Sequence, residues 1–261
     1  MKRVVSFSLW GNSEIYLSGA LKSARQVSEF YPGWECWFYL GRDVPQETRT
    51  QLEANGARLI DAPDWGPWGG MYWRFLAASD PDVEIMISRD ADSTILKREV
   101  AAVNEWLESG KALHIMRDHP KHEVPIMGGM WGCRASAFRD MHQLILQWNR
   151  FDRYGCDQKF LAQVIYPKFR NDAWIHSECI HFKNEVIQSY SLPREDTVFI
   201  GMALRDESLI RMQRQQMQDW IDSGCPMLMR PHPWSFAGRI RILTGGLWPG
   251  ASIKMGKNAT R

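Results

Sequence analysis

The feature that most constrains the fold is the alternation of short apolar runs and helix-like segments over the first 110 residues. Apolar runs at 4–10, 34–40, 58–61 and 83–87 predict four strands. Segments with helical spacing separate them, and the first is expected to begin after Ser13 and to reach about Phe30. Alternating strands and helices predict a parallel sheet that is covered by helices on both faces.

The pattern continues less regularly in the second half of the chain. It predicts helices over 97–109, 135–150 and 206–222, with a further helix start near 156, and a strand over 112–116. The glycine-rich apolar stretch 126–133 predicts backbone that lies close to a ligand or to a crossing strand. We expect one domain over 1–225, with a basic C-terminal extension over 226–261 as part of the same unit.

Composition excludes several classes of protein. The chain has 261 residues, of which 44% are hydrophobic and 24% charged, as in ordinary globular proteins. No apolar run approaches the roughly 20 residues of a membrane span, and the N-terminus lacks a signal-peptide pattern, so we expect a cytoplasmic protein. Five scattered cysteines without a Cys-x-x-Cys pair argue against a zinc site or a disulfide framework.

The net charge of +2 is unevenly distributed. The segment 226–261 contains six basic residues and no Asp or Glu. Contact of this segment with phosphates or with a membrane surface is one interpretation, and a solvated terminus is the other. The basic residues are Arg230, Arg239, Arg241, Lys254, Lys257 and Arg261.

An acidic pair follows the fourth predicted strand. Asp90 and Asp92 stand two residues apart directly after the apolar run 83–87, so their side chains can project to the same side and share one divalent ion. A solvated turn is the alternative, because Asp is a common turn residue. The position favours a site, since ligands of open α/β sheets bind outside the carboxyl ends of the strands.

The order of these features resembles glycosyltransferases of the A-type (GT-A) fold, in particular bacterial and phage-type Asp-x-Asp transferases. The resemblance covers about residues 1–200. It implies a GT-A-like (Rossmann-like), mixed but mostly parallel sheet flanked by helices. It also implies transfer of a sugar from a nucleotide-sugar donor, with a UDP-sugar favoured. The residues that carry it are Ser88-Arg89-Asp90-Ala91-Asp92-Ser93, Arg117-Asp118-His119-Pro120 and Gly128-Gly129-Met130-Trp131-Gly132.

The resemblance also implies a metal site. It assigns Asp90 to the ribose side and to the metal, and Asp92 to direct contact with Mn²⁺ or Mg²⁺. Such enzymes often add a late histidine ligand, for which His176 is preferred to His181. An ordinary hydrogen-bonded histidine is the alternative for either residue.

Further residues are expected to bind the donor. Arg74 and Arg89 can neutralise phosphate oxygens, although either can equally be a structural ion-pair partner. Trp10 and Gly11, at the end of the first strand, are expected beside the base or ribose, with core packing as the alternative for Trp10. Gly129 is expected where the backbone approaches the ligand.

The expected general base or transition-state stabiliser is Asp157, which begins a helix; a plain helix cap is the alternative. Asp118, with His119 beside it, is the second candidate. Retaining and inverting mechanisms both stay open. So does the acceptor, which can be a glycan, a lipid-linked sugar, a protein or a modified nucleic acid.

Two other functions remain open at this point. A nucleotidyltransferase also uses carboxylates and Mg²⁺, but the chain has no Gly-x-x-x-x-Gly-Lys-[Ser/Thr] phosphate loop. A non-catalytic glycan- or nucleic-acid-binding module would use the 13 tryptophans and the basic C-terminal segment, but would leave the acidic pair without a role.

Overall fold

A computed structural model describes residues 1–231. Strands and helices alternate from the N-terminus, and the chain then becomes more irregular after residue 117. The strands are β1 (Lys2–Leu9), β2 (Glu35–Leu40), β3 (Arg58–Asp61), β4 (Val83–Arg89), β5 (Leu113–Arg117), β6 (Met130–Arg134), β7 (Ala173–Ser177), β8 (Ile180–Phe182), β9 (Ile187–Gln188) and β10 (Leu228–Arg230). The helices are α1 (Glu14–Phe30), α2 (Gln46–Ala54), α3 (Gly70–Trp73), α4 (Lys97–Ser109), α5 (Met141–Trp148), α6 (Cys156–Phe160), α7 (Tyr166–Phe169) and α8 (Glu207–Asp222).

Eight strands form one mixed sheet in the order β3-β2-β1-β4-β6-β5-β7-β9. β6 runs antiparallel to β4 and β5, and the other pairs are parallel. The remaining strands, β8 and β10, form a separate parallel pair. The prediction of a mostly parallel sheet flanked by helices is therefore confirmed.

Alternation along β4 divides its side chains between two apolar layers. Ile85 and Ile87 pack in a layer with residues of α1 and α4, whereas Met86 belongs to the layer on the opposite face. Successive side chains of a strand point to opposite faces, so the even-numbered residues that follow Met86 continue along that second face. This periodicity decides which polar side chains at the end of β4 reach the candidate site.

The structure differs from the prediction mainly after residue 134. The helix predicted over 135–150 is a short 3₁₀ turn, Ala135–Ala137, followed by α5. The strands β7 to β10 were not predicted. Three of them, β8 to β10, contain only two or three residues, too few for a periodic pattern to be distinctive. β10 lies inside the predicted basic segment, and the rest of that segment, 232–261, is outside the described residues.

Within residues 1–231, no helix is both long enough and apolar enough to cross a membrane. Of the five cysteines, all of which are free thiols, four are buried, and Cys225 is exposed.

Candidate active site

Arg74 connects two carboxylates at the carboxyl edge of the sheet. It follows α3 directly, and its backbone N–H donates to Ser8 Oγ on β1 over 2.9 Å, which fixes the chain at this edge. Its guanidinium is buried and forms ion pairs with Asp90 and, from Nη2 to Oδ2 over 2.9 Å, with Asp157. One planar group therefore joins the end of β4 to the start of α6.

Asp157 is a buried carboxylate with one unpaired oxygen. Asp157 is 1% exposed, and its Oδ1 has no hydrogen-bond partner among the described residues. Burial raises the pKa of Asp157 and the negative charge of Asp90 raises it further, while Arg74 opposes both. Buried polar atoms are normally paired, so Oδ1 keeps the capacity to accept a further hydrogen bond.

Two glycines let the backbone before β6 approach these carboxylates. A Cβ atom at Gly128 would overlap Asp157 Oδ2 and Arg74 Nη2, and one at Gly129 would overlap the carboxylate and backbone nitrogen of Asp90. Ser88 Oγ donates to the carbonyl of Gly128 over 2.8 Å and holds this segment in place. Gly129 thus lies against Asp90, and only a residue without a side chain fits there.

Asp92 forms an ion pair with Arg205, which is distant from it in the sequence. Arg205 Nε lies 2.6 Å from Asp92 Oδ2. Burial raises the pKa of Asp92, and the nearby charge of Asp90 raises it further, while Arg205 opposes both effects. The two acidic residues are therefore close enough for their negative charges to repel.

Two tyrosines border the Arg205–Asp92 ion pair. The Arg205 guanidinium lies 5.5 Å from the ring centroid of Tyr16, which is in the first turn of α1. Burial, followed by the charge of Asp92, raises the pKa of Tyr16 to about 12. Arg205 Nη2 donates to the hydroxyl of Tyr154 over 3.4 Å, and Tyr154 is 49% exposed. This side of the site therefore opens to solvent at Tyr154.

Trp10 and Gly11 lie at the carboxyl end of β1, as the strand prediction required. Trp10 is half-buried and makes an edge-to-face contact with Trp73, at 5.9 Å between ring centroids. A Cβ at Gly70 would overlap the Trp10 ring. Gly11 has φ of +79°, which starts the turn into α1 and favours glycine. Trp10 is thus packed on one side and is partly accessible on the other.

Arg89 forms a buried ion pair, which was the alternative to its expected role in phosphate binding. It is 2% exposed, and its Nε lies 2.5 Å from Glu99 Oε1 on α4. Tyr31, which follows α1, donates to the same Glu99 oxygen over 3.1 Å. Arg89 shares the face of Ile85 and Ile87, so its side chain points away from Asp90 into the layer beneath α1 and α4.

The structure does not bring His176 to the acidic pair. Its Nε2 lies 2.9 Å from Glu105 Oε2 and its Nδ1 2.9 Å from His114 Nε2, so both ring nitrogens have partners inside the protein. β7 is three strands from β4 in the sheet, a separation of roughly 14 Å at about 4.8 Å per strand. The alternative, His181, lies on β8, outside the main sheet.

Asp118 is enclosed in an ion-pair network instead of facing the acidic pair. Arg194 Nη2 and Arg98 Nη2 lie 2.7 and 3.3 Å from Oδ1, and the backbone N–H of Ile200 donates to Oδ2 over 2.9 Å. The residue has no exposed surface. Its neighbour His119 is also buried and contacts Phe199. The structure thus gives Asp118 structural partners at both oxygens.

Sequence reasoning missed three residues of this site: Arg205, Tyr16 and Tyr154. Arg205 is 113 positions from Asp92 along the chain, and no local motif links them. Tyr16 carries a partial signal, because the first turn of a helix that follows a strand lies at the carboxyl edge of a parallel sheet. Tyr154 stands three residues before Asp157, in the loop that leads into α6.

Asp90 and Asp92 fit a divalent ion that takes most of its ligands from a substrate. Within residues 1–231, no three His, Cys, Asp or Glu side chains are grouped so that they could hold a metal ion. Mg²⁺, however, is commonly bound by one or two carboxylates together with substrate phosphates and water. Burial, and then the charge of Asp90, raises the pKa of Asp92, and a shared cation would offset both effects. These two residues would hold the ion.

No described protein family and no curated protein sequence matches the chain. Solved structures that resemble it include the galactosyltransferase LgtC with donor and acceptor sugar analogs, at a TM-score of 0.48 and 14% identity over 85% of this chain and 100% of that one. Glucosyl-3-phosphoglycerate synthase from Mycobacterium tuberculosis, in complex with Mn²⁺, uridine-diphosphate-glucose and glycerol 3-phosphate, has a TM-score of 0.45 and 14% identity over 86% and 80%.

A synthase of another kind has a structural similarity to the chain that is about as high. The 4-diphosphocytidyl-2C-methyl-D-erythritol synthase from Anaerococcus prevotii has a TM-score of 0.47 and 10% identity, over 83% of this chain and 99% of that one. Sugar-transferring enzymes are thus among the structures that this chain resembles.

Proposed function

We propose that the protein is a metal-dependent glycosyltransferase of the GT-A, Asp-x-Asp type that moves a sugar from a nucleotide-sugar donor to a hydroxyl acceptor. One observation carries the proposal: the buried Asp157, with its unpaired Oδ1, is held by Arg74 beside the acidic residue Asp90. A carboxylate of this kind next to an acidic pair would provide a base and a cation site side by side.

The donor would bind at the carboxyl edge of β1 and β4. Asp90 and Asp92 would hold Mn²⁺ or Mg²⁺, and the ion, when bound, would stabilise the negative charge of the leaving diphosphate. The nucleoside would lie near Trp10 and Gly11, where β1 ends and α1 begins. A UDP-sugar is the first donor to test.

The acceptor would bind on the side of Asp157. Its Oδ1 is the atom that would take the proton of the acceptor hydroxyl in an inverting reaction, or support positive charge on the sugar in a retaining one. Arg74 would keep the Asp157 carboxylate ionised and oriented through its bond to Oδ2. Gly128 would allow the substrate-facing backbone to lie close to the Asp157 carboxylate and the Arg74 guanidinium.

The proposal is tested by a screen of nucleotide sugars for hydrolysis or transfer, with and without Mn²⁺, and the anomer of the product is read by NMR. We expect Mn²⁺-dependent release of a nucleoside diphosphate from one donor. Release of pyrophosphate from a nucleoside triphosphate would identify a nucleotidyltransferase instead. Metal-independent binding of glycan or DNA, without turnover, would identify a binding module.

Two variants separate the metal site from the base. Asp92→Asn should abolish Mn²⁺-dependent UDP binding. Asp157→Asn should lower turnover by about 10²- to 10⁴-fold and leave UDP affinity within about twofold. Asp222→Asn, at an exposed position of α8, is the matched control and should resemble the wild type. Full activity of Asp92→Asn would rule out the metal assignment, and a loss of donor binding alone in Asp157→Asn would rule out the catalytic one.

A further inference from the structure

Arg205 stands at the acidic pair without a role in the function proposed above. We infer that Arg205 is an exchangeable partner of Asp92: it neutralises this carboxylate before metal and donor bind, and it binds the donor diphosphate when Asp92 binds a divalent ion. The inference rests on the proposed function, and it adds a phosphate-binding residue and the order of its contacts.

The contacts of Arg205 leave it able to bind a second anion. It hydrogen-bonds to Asp92 through Nε at 2.6 Å and to Tyr154 through Nη2 at 3.4 Å, and its guanidinium lies over the Tyr16 ring. A guanidinium has five N–H donors, so these two hydrogen bonds do not exhaust it. The Arg205 side chain is 30% exposed, whereas that of Asp92 is 5% exposed. The accessible partner of this ion pair is therefore the arginine.

The backbone beside Arg205 is fixed to the acidic turn. The N–H of Leu204 donates to the carbonyl of Asp92 over 2.8 Å, and Ala203 forms a β-bridge with Ser93. On the other side, the buried Gln213 of α8 donates from Nε2 to the Ala203 carbonyl over 2.9 Å and accepts from the Ala203 N–H over 3.3 Å. The exchange from Asp92 to the diphosphate therefore needs a movement of the Arg205 side chain alone. The fixed backbone keeps this side chain near the site whichever partner it binds.

The charges of the site favour such an exchange. Three carboxylates, Asp90, Asp92 and Asp157, face two guanidinium groups, Arg74 and Arg205, which leaves one negative charge when all five are ionised. A divalent ion held by Asp90 and Asp92 would reverse that sign and would compete with Arg205 for Asp92. The displaced guanidinium would then lie beside the diphosphate, whose oxygens a planar guanidinium can bind in pairs.

The test measures two affinities on the intact chain. Mn²⁺ binding without nucleotide is followed by electron paramagnetic resonance, and binding of inorganic pyrophosphate at saturating Mn²⁺ is followed by calorimetry, because pyrophosphate carries the two phosphates without a base. Arg205→Gln removes the charge and shortens the side chain, but leaves a polar amide at its end. Arg211→Gln is the control, because Arg211 is 72% exposed on α8 and pairs with Glu207 away from the acidic pair.

We expect Arg205→Gln to bind Mn²⁺ about threefold more tightly, since its competitor for Asp92 is gone, and to bind pyrophosphate about tenfold more weakly. Arg205→Lys, which retains the charge, should recover most of the pyrophosphate affinity. Thermal unfolding of each variant establishes that it is folded. Arg211→Gln should match the wild type in both measurements.

Opposed changes in the two affinities are the signature that a purely structural ion pair would not produce. The inference is overturned if Arg205→Gln binds Mn²⁺ no more tightly than the wild type, or if its pyrophosphate affinity is unchanged. If the wild type binds neither Mn²⁺ nor pyrophosphate, the proposed function fails as well. If the wild type binds both and transfers sugar while Arg205→Gln behaves like Arg211→Gln, only the role of Arg205 is wrong.

Discussion

Arg74 Nη2 donates to Asp157 Oδ2 over 2.9 Å, and both side chains are almost fully buried. Burial alone would lower the pKa of Arg74, but the charges of Asp90 and Asp157 outweigh this effect and raise it. The guanidinium therefore stays charged and ties the acidic end of β4 to the start of α6. This bond gives the candidate site its geometry before any substrate arrives.

Arg74→Ala should destabilise the protein and abolish its activity. The substitution leaves the Asp157 carboxylate buried without a cation, and breaking a buried ion pair from one side costs about 3 kcal/mol of unfolding free energy. Urea unfolding followed by tryptophan fluorescence measures this cost.

The double variant Arg74→Ala, Asp157→Asn provides the control for this prediction. With both charges removed, it should recover part of the lost stability, because no charge is left buried alone. If the two single changes simply add, the side chains are not coupled and the central contact of the site is misassigned.

Asp118→Asn should lower stability without removing catalysis. Its two oxygens accept from Arg194, Arg98 and the backbone of Ile200, so the substitution leaves two arginines short of their negative partner. We expect a loss of about 3 kcal/mol in unfolding free energy and a turnover number within about threefold of the wild type, measured per folded molecule. A fall in turnover as large as that of Asp157→Asn would restore Asp118 as a catalytic candidate.

Gly129→Ala should abolish Mn²⁺-dependent UDP binding. The added Cβ would overlap the Asp90 carboxylate and backbone nitrogen, so the acidic turn would have to shift. Gly33→Ala is the control: Gly33 has φ of +82° and open space around it, so alanine there brings backbone strain at a distance from the site. Equal UDP affinity in Gly129→Ala and Gly33→Ala would show that the close approach to Asp90 is unimportant.

The sequence predicts the first half of the fold well, because long runs there have a clear period. β3 and α4 begin and end where the pattern places them, and Asp90 lies at the carboxyl end of β4 as expected. The two-residue period of a strand could also have predicted that Arg89 and Asp90 point to opposite faces of the sheet. Counting alternate residues from Ile85 and Ile87 puts Arg89 on the face of α4 and Asp90 on the opposite face.

The rest of the site could not be predicted in this way, since it depends on contacts between distant segments. Arg205 reaches Asp92 only because a backbone bridge joins residues 93 and 203. His176 was misplaced for a related reason: the order of strands in the sheet sets its distance from Asp90, and the strand β7 that carries it was not predicted. Local patterns specify elements and the ends of strands, whereas the pairing of β5 with β7 is a property of the whole sheet.

His119 should make the stability of the protein depend on pH between about 6.5 and 4. It is fully buried, with Nε2 positioned 3.1 Å from the Gln213 carbonyl and Nδ1 accepting from the Lys121 N–H over 3.1 Å. These partners require a neutral ring that carries its proton on Nε2, because a proton on Nδ1 would face another N–H. Burial lowers the pKa of His119 to about 4, although its bond to Gln213 opposes this shift.

The sign of the pH effect follows from the two pKa values of His119. The unfolded chain binds this proton near pH 6.5 and the folded protein only near pH 4, so the contribution is fully present above about 6.5 and is lost as the pH falls toward 4. The difference corresponds to at most about 3 kcal/mol. Urea unfolding measured from pH 7 to 4.5 should show that the free energy of unfolding falls less in His119→Gln than in the wild type. A His119 ring that titrates near pH 6.5 by NMR in the folded protein would contradict this prediction.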